Sequence, residues 1–322
     1  MIFLHIGRNK AGSTTLQSVL AKRSQALRAG GVRYLNFGHL AHSDPEIEGF
    51  VTAEPVAALA RATGETLLIS NEFMSVWPET YTWSMAKAFE GLQVKVLIYL
   101  RDYTTWLPSL YAQNVKSGDE TRDFFAFVDD PPQSISAWPM IQTWAAAFGW
   151  NSLRIQAMDP QTMQAEDLVR DAFSALGLPA DLAGSSQVQR SNVSLGWTQV
   201  EMIRAVRAAL TEDQWGRQAD DIVRLASLLP LSPPPGDPVV RYLDPGRFER
   251  LADLYDEDVE RIAAVTGRRL PPTRRIELPP CSRAPTWADV SPDIVADWRG
   301  RWPADAACAP WAEPLLAQRR QG

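Results

Sequence analysis

The stretch MIFLHIGRNKAGSTTLQSVL, residues 1–20, decides the fold. Ile2 to Ile6 form a short apolar run that stops at Gly7, and from Ser13 to Arg28 the apolar residues Leu16, Val19, Leu20 and Leu27 recur at helical spacing. The order is strand, glycine-bearing loop, helix. Gly7, Lys10, Gly12, Ser13, Thr14 and Thr15 lie in that loop or at the helix start. Glycines let successive backbone N–H groups converge, the helix N-terminus adds partial positive charge, and hydroxyls with a lysine complete a shell for a phosphate or sulfate. The same residues also suit an ordinary strand-to-helix turn with Ser13 or Thr14 as N-cap.

Working outward, apolar runs at Leu67 to Ile69 and Val94 to Leu100 predict strands buried on both faces, and Leu153 to Ala157 predicts a fourth strand. Helical patterns fill the gaps at Val56 to Thr63, Thr80 to Glu90, Leu107 to Lys116 and Ala165 to Leu176. The alternation predicts an α/β fold, a central parallel sheet flanked by helices. After Gly177 the pattern becomes mostly helical, with amphipathic segments at Val193 to Leu210, Asp220 to Leu229 and Arg247 to Val265, and Pro233, Pro234 and Pro235 interrupt the series. The expected organisation is one domain over residues 1–267, with helical elements in 178–267, and an irregular Pro-, Arg- and Trp-rich tail over 268–322.

At 322 residues with 45% apolar composition the chain can bury a full core. Its longest apolar runs fall far short of the roughly 20 residues that span a bilayer. Ile2 to Ile6 lack a preceding basic region and are followed at once by Arg8 and Lys10, the wrong order for a signal peptide, so a cytoplasmic protein is expected. The two cysteines, Cys281 and Cys308, support neither a disulfide framework nor a zinc site. A net charge of −6 disfavours a nucleic-acid partner, although a local basic pocket remains compatible with it.

Gly7 and Gly12 have the spacing of a P-loop, but a Walker loop needs lysine directly after the second glycine. Here Ser13 holds that place and Lys10 precedes the glycine. The strand Val94 to Leu100 leads into Arg101 rather than an acidic residue for magnesium, so ATP hydrolysis is disfavoured. The lysine-first order KAGSTT, Lys10 to Thr15, resembles the phosphosulfate loop of sulfotransferases that use 3′-phosphoadenosine 5′-phosphosulfate (PAPS), usually K-[ST]-G-[ST]-T, with Ala11 as the one departure. The resemblance implies that Lys10, Ala11, Gly12, Ser13, Thr14 and Thr15 bind PAPS, Ala11 through its backbone N–H alone.

The family also has an arginine at a strand end and a serine eight residues later, both on the 3′-phosphate. LIYLRDYTTWLPSLYAQ supplies Arg101 and Ser109. Independently, Thr104 reads as an N-cap and Pro108 as a first-turn residue, which puts Ser109 near a helix N-terminus where phosphate is favoured. The specific motifs cover about the first 120 residues, and the chain looks most like the bacterial members of the family. The family's C-terminal Arg-Lys-Gly segment is absent. Arg190 in QRSNVSL is a candidate substitute, or that stretch marks a helix boundary at Asn192 or Ser194.

The implied activity is metal-independent transfer of a sulfuryl group from PAPS to a hydroxyl acceptor, with a carbohydrate favoured over a lipid or small metabolite. Lys10 would stabilise charge on the departing phosphate oxygen. Glu72, in LLISNEFM just past the second predicted strand, is the first candidate for general base, and His39 or His42 in NFGHLAHS competes with it. His5, inside the first strand, reads as a satisfied core residue. Trp77, Trp83, Trp106 and Trp138 suit sugar stacking or core packing. Two alternatives stay open: an inactive nucleotide-binding module of the same fold, and an atypical P-loop kinase using ATP and magnesium.

Overall fold

The computed structural model describes residues 1–36, 53–158, 165–179, 182, 195–229, 243–278, 283–301 and 311. His39, His42, Arg190, Cys281 and Cys308 lie outside the described residues. The chain groups into two compact units, one made of Met1–Asp102, Ser136–Asn192 and Leu254–Thr273, the other of Tyr103–Ile135, Val193–Asp253 and Arg274–Gly322.

The first unit holds a parallel sheet built, among the described residues, from β1 (Ile2–His5), β2 (Val32–Asn36), β3 (Thr66–Ser70), β4 (Val94–Arg101) and β5 (Leu153–Met158), in the order β2-β3-β1-β4-β5. The four runs of Val, Leu and Ile expected from sequence are strands within one or two residues of their predicted ends. β2 was not expected, because Arg33 and Asn36 interrupt its apolar pattern. It forms by pairing with β3, Tyr34 opposite Leu68, while the buried Arg33 guanidinium meets Glu65 at 3.7 Å. β1 pairs with both β3 and β4. From β1 the chain continues to β2 at one edge, and from β4 to β5 at the other, so the carboxyl ends of β1 and β4 flank a switch point where ligand crevices form in such sheets.

One sheet face is covered by α1 (Ser13–Lys22), α2 (Ser24–Ala29) and α8 (Ala165–Leu176). Leu16, Val19, Leu20, Leu27, Leu168, Val169, Phe173 and Leu176 pack there on Phe3, Leu68 and Leu97. Burying each such side chain contributes about 1.5–3 kcal/mol. The single helix expected over Ser13 to Arg28 is interrupted at Arg23, whose φ of −106° and ψ of 10° leave the helical region before α2 restarts and buries Leu27. By strand alternation Leu4, Ile69, Val96 and Ile98 face the other way, and they are equally buried. α3 (Ala53–Thr63), α4 (Glu79–Ala88) and α7 (Trp138–Phe148) pack one upon the next.

α7 was not expected either, since the residue before it, Ala137, cannot cap a helix. Its cap comes from Asp258 on the long helix α11 (Pro245–Thr266): the buried carboxylate accepts hydrogen bonds from Ala137 N at 2.8 Å, Trp138 N at 3.3 Å and Ser136 Oγ at 2.9 Å.

In the second unit α5 (Tyr103–Ser117) starts one residue before Thr104, which therefore sits in the first turn instead of at the cap. Pro108 is the sixth residue of that helix and Ser109 the seventh, two residues deeper than a cap at Thr104 would place them. α5 packs with α6 (Phe124–Asp129) and α9 (Trp197–Ala209), beside α10 (Glu212–Ser227). Tyr111 edges onto Phe124 with ring centroids 5.1 Å apart, and its hydroxyl donates to the fully buried Glu201 at 3.1 Å. Burial pushes the Glu201 carboxyl up to about 7 against the opposing pull of Arg204, which lies 2.8 Å away. The stretch from 268, expected to be irregular, contains a helix, α12 (Pro292–Gly300). Ser291 caps it, Pro292 opens it, and buried Val295 and Trp298 stand three residues apart on one face.

A polar row crosses the carboxyl half of the sheet on the face of α1 and α8: Tyr34 on β2, Ser70 on β3, His5 on β1 and Tyr99 on β4. His5 Nδ1 lies 2.7 Å from Ser70 Oγ, and Tyr99 donates to Asp171 on α8 at 2.6 Å. Burial holds the His5 imidazole down at about 4.

Two outcomes follow. Asp258→Ala leaves the Ala137 and Trp138 amides uncapped and lowers stability by about 2–4 kcal/mol, read as the urea midpoint; an unchanged midpoint contradicts the capping role. Unfolded His5 titrates near 6.5 and the folded ring near 4, so the unfolded state takes up the proton first as pH falls. The contribution is complete above about pH 6.5 and is lost down to about pH 4, roughly 3 kcal/mol in all. Urea unfolding between those limits shows a shallower pH slope in His5→Gln than in the wild type; equal slopes refute the assignment.

Candidate functional site

The site is built where β1 turns into α1. Five residues past the last β1 residue the loop reverses direction through Lys10, whose φ of 64° is the one positive value at a non-glycine residue among those described. A side chain in this left-handed region costs about 1–2 kcal/mol, strain of the kind that concentrates at ligand clamps. Gly12 follows at φ 83° as the residue before α1. A Cβ there would stand 2.6 Å from Leu168 Cδ2 and 3.1 Å from Met158 Cε, so both the conformation and the close approach of α8 and β5 demand glycine.

α1 begins without a side-chain cap and without an acidic residue in its first turn. Its leading N–H groups and the helix dipole therefore meet no acidic side chain from the helix's own first turn. Ser13, the first helical residue, is buried, and its Oγ has no hydrogen-bond partner. Thr14 is exposed and Thr15 half-buried, so both hydroxyls are reachable from outside. Ala11 is fully buried, and its N–H closes a turn onto Arg8 O at 3.2 Å. That amide is engaged within the loop, a difference from the expectation that it points at a ligand.

Arg101 ends β4, four residues beyond Leu97, the partner of His5, and thus reaches loop height. Its Nη1 donates to Lys10 O at 3.1 Å. The structure brings Arg101 and Lys10 together through that backbone contact. Ser109 belongs to α5 in the second unit.

Glu72 opens a 3₁₀ turn, Glu72–Val76, directly after β3, with Asn71 Oδ1 accepting from Phe73 N at 2.9 Å to start it. Asn71 N also donates to His5 O at 2.9 Å, which carries the β1–β3 register up to the turn. The carboxylate accepts from Gln17 Nε2 at 2.6 Å, and Gln17 lies one turn along α1 from Ser13. Glu72 is thereby fixed beside the helix that carries the loop. Tyr34 completes this side: its hydroxyl is buried without a hydrogen-bond partner, and burial together with the Glu72 charge pushes the phenol above its ordinary value.

Gln17 and Tyr34 were missed by sequence reasoning. A polar residue at i+4 from Ser13, on the face that α1 turns to the sheet, is the available signal for Gln17. Tyr34 had none, because its strand was not recognised. Of the four tryptophans, Trp106 is buried core, Trp138 stacks on Trp150 with centroids 5.8 Å apart, Trp77 meets Tyr81 edge-on at 6.2 Å, and Trp83 is exposed with Nε1 donating to Glu79 at 3.0 Å. A surface cleft lined by Trp83, Phe89, Leu92, Val94 and Phe148 lies at the amino end of β4, and Lys10, Ser13, Glu72 and Arg101 take no part in it. Among the described residues no helix is long and apolar enough to cross a membrane.

The buried orphan oxygen, the uncapped helix start and the left-handed backbone fit a bound anion with several acceptor oxygens.

No family model matches this sequence, and no curated protein matches it. Solved structures to which the chain is similar include a sulfotransferase from Alicyclobacillus acidocaldarius, with a TM-score of 0.44 and 16% identity, covering 83% of this chain and 96% of that one. They also include mouse sulfotransferase SULT7A1 complexed with PAP, with a TM-score of 0.41 and 13% identity, covering 83% of this chain and 85% of that one.

Proposed function

We propose that this chain is a sulfotransferase that takes the sulfuryl group of PAPS to a hydroxyl acceptor, most simply a carbohydrate. The observation that carries the reading is the buried, partnerless Ser13 Oγ at the uncapped start of α1, beside left-handed Lys10. An anion supplies the missing partners, and the lysine-first loop order suits a phosphosulfate better than a nucleoside triphosphate with magnesium.

In this reading PAPS is the co-substrate, and its S–O bond to phosphate breaks as a new S–O bond to the acceptor forms. The N–H groups of Gly12, Ser13 and Thr14, with the Ser13, Thr14 and Thr15 hydroxyls, hold the phosphosulfate. Lys10 offsets the charge that grows on the departing phosphate oxygen, a preorganised electrostatic contribution. Arg101 holds the 3′-phosphate, the role the family resemblance gives it together with Ser109, and its contact with Lys10 O links it to the loop. Glu72 accepts the acceptor's hydroxyl proton, and Gln17 orients its carboxylate. His42 is the alternative base.

Adenosine 3′,5′-bisphosphate should raise the thermal midpoint without metal, and adenosine 5′-monophosphate or ATP with Mg²⁺ should not. At 100 times its dissociation constant a ligand adds about 2.7 kcal/mol. The shift should vanish in Arg101→Ala; stabilisation by ATP with Mg²⁺ alone would favour a kinase. In turnover with PAPS and a hydroxyl acceptor, Lys10→Ala should lose about 10². Glu72→Gln should lose at least about 10² while binding the bisphosphate as the wild type does. Wild-type turnover in Glu72→Gln would move the base to His42.

A further inference from the structure

His5 closes β1 directly beneath the loop, and its two ring nitrogens have different surroundings. Nδ1 is paired with Ser70 Oγ at 2.7 Å. Nε2 is buried and has no hydrogen-bond partner, so the residue is half satisfied, a correction to the expectation of a satisfied core histidine. A Cβ on Gly7 would stand 2.7 Å from Nε2. The nitrogen is therefore aimed at the first residue of the loop, into space that only glycine leaves open. Burial keeps the ring neutral, and in the tautomer whose Nδ1 accepts from the Ser70 hydroxyl, Nε2 carries the hydrogen and is a donor. At the other end of the same loop stands the second buried orphan, Ser13 Oγ. Two such groups flanking one loop are costly when unpaired and call for an occupant rich in acceptor oxygens.

We propose that His5 is a positioning residue for the anion held by the loop, its Nε2–H giving a hydrogen bond to an oxygen of that anion through the opening at Gly7. This rests on the phosphosulfate reading of the loop given above. The paired nitrogen sets the tautomer and the unpaired one meets the ligand, so Ser70 acts on the site through His5.

Asparagine places its amide near the Nδ1 position and glutamine near Nε2, which separates the two roles. Binding of adenosine 3′,5′-bisphosphate, measured by calorimetry, should weaken about 10-fold in His5→Asn and stay within about 3-fold of wild type in His5→Gln. Wild-type affinity in a folded His5→Asn overturns the proposal. If either variant fails to fold, ¹⁵N spectra of the wild-type imidazole decide: on adding the bisphosphate the Nε2 resonance should shift, with its proton in slow exchange, while Nδ1 stays put. An unmoved Nε2 in a chain saturated with the bisphosphate overturns the role of His5. A wild-type chain that does not bind the bisphosphate fails the sulfotransferase reading instead. Inorganic pyrophosphate, which needs only the loop, is then the probe, and an unmoved Nε2 on its binding overturns the proposal in the same way.

Discussion

The structure of the site depends on a backbone constraint: the chain passes from a buried strand to a helix through left-handed conformations at Lys10 and Gly12. At Gly12 the conformation is free of steric cost, whereas at Lys10 something must hold it. Arg101 Nη1 grips the Lys10 carbonyl from the end of β4, and Ala11 N closes onto Arg8 O. Leu168 and Met158 pack where a side chain on Gly12 would have to go. The loop is thus shaped from outside by the ends of β4 and β5 and by α8. Its lysine is held in its left-handed conformation by a contact to its own carbonyl.

The strand order supplies the reason those parts meet. β1 lies between β3 and β4, so the residues just beyond its end have Ser70, Asn71 and Glu72 on one side and Arg101 on the other. Gln17 then ties Glu72 back to α1 with a 2.6 Å hydrogen bond. A carboxylate, an uncapped helix start and a guanidinium end up around one loop, each held by an element that would be in the sheet or on it regardless of function. Beneath them the row of Tyr34, Ser70, His5 and Tyr99 replaces apolar packing with hydroxyls and a ring. Tyr99 and Ser70 are paired there, while Tyr34 and His5 Nε2 are left with unmet hydrogen-bonding capacity. Groups of that kind are rare in cores and are retained where something else uses them.

Much of this was legible from residue order. Val, Leu and Ile runs marked four strands because parallel strands covered on both faces read as near-continuous apolar runs. The loop was legible because glycine, lysine and hydroxyl residues are crowded between a strand and a helix. β2 and α7 were not legible, for one shared reason: each is completed by a distant residue. β2 is an edge strand whose Arg33 is tolerated inside because Glu65 meets it, and α7 starts directly after Ala137 because Asp258, 121 residues along the chain from Ala137, accepts the amide hydrogen bonds of Ala137 and Trp138. Propensity and capping rules read neighbours in sequence, and here the neighbours were in space.

By itself the sequence determined the α/β class, the strand-loop-helix unit at its start, and the residue types in the loop after β1, since these follow from local periodicity and from the conformational needs of glycine. Only the tertiary structure decided that Arg101 holds Lys10 by its carbonyl, that Gln17 orients Glu72, and that His5 keeps one nitrogen for Ser70 and turns the other toward Gly7. Strand order and register bring Arg101 to Lys10, Gln17 to Glu72 and His5 to Ser70, pairs that lie 55 or more residues apart along the chain.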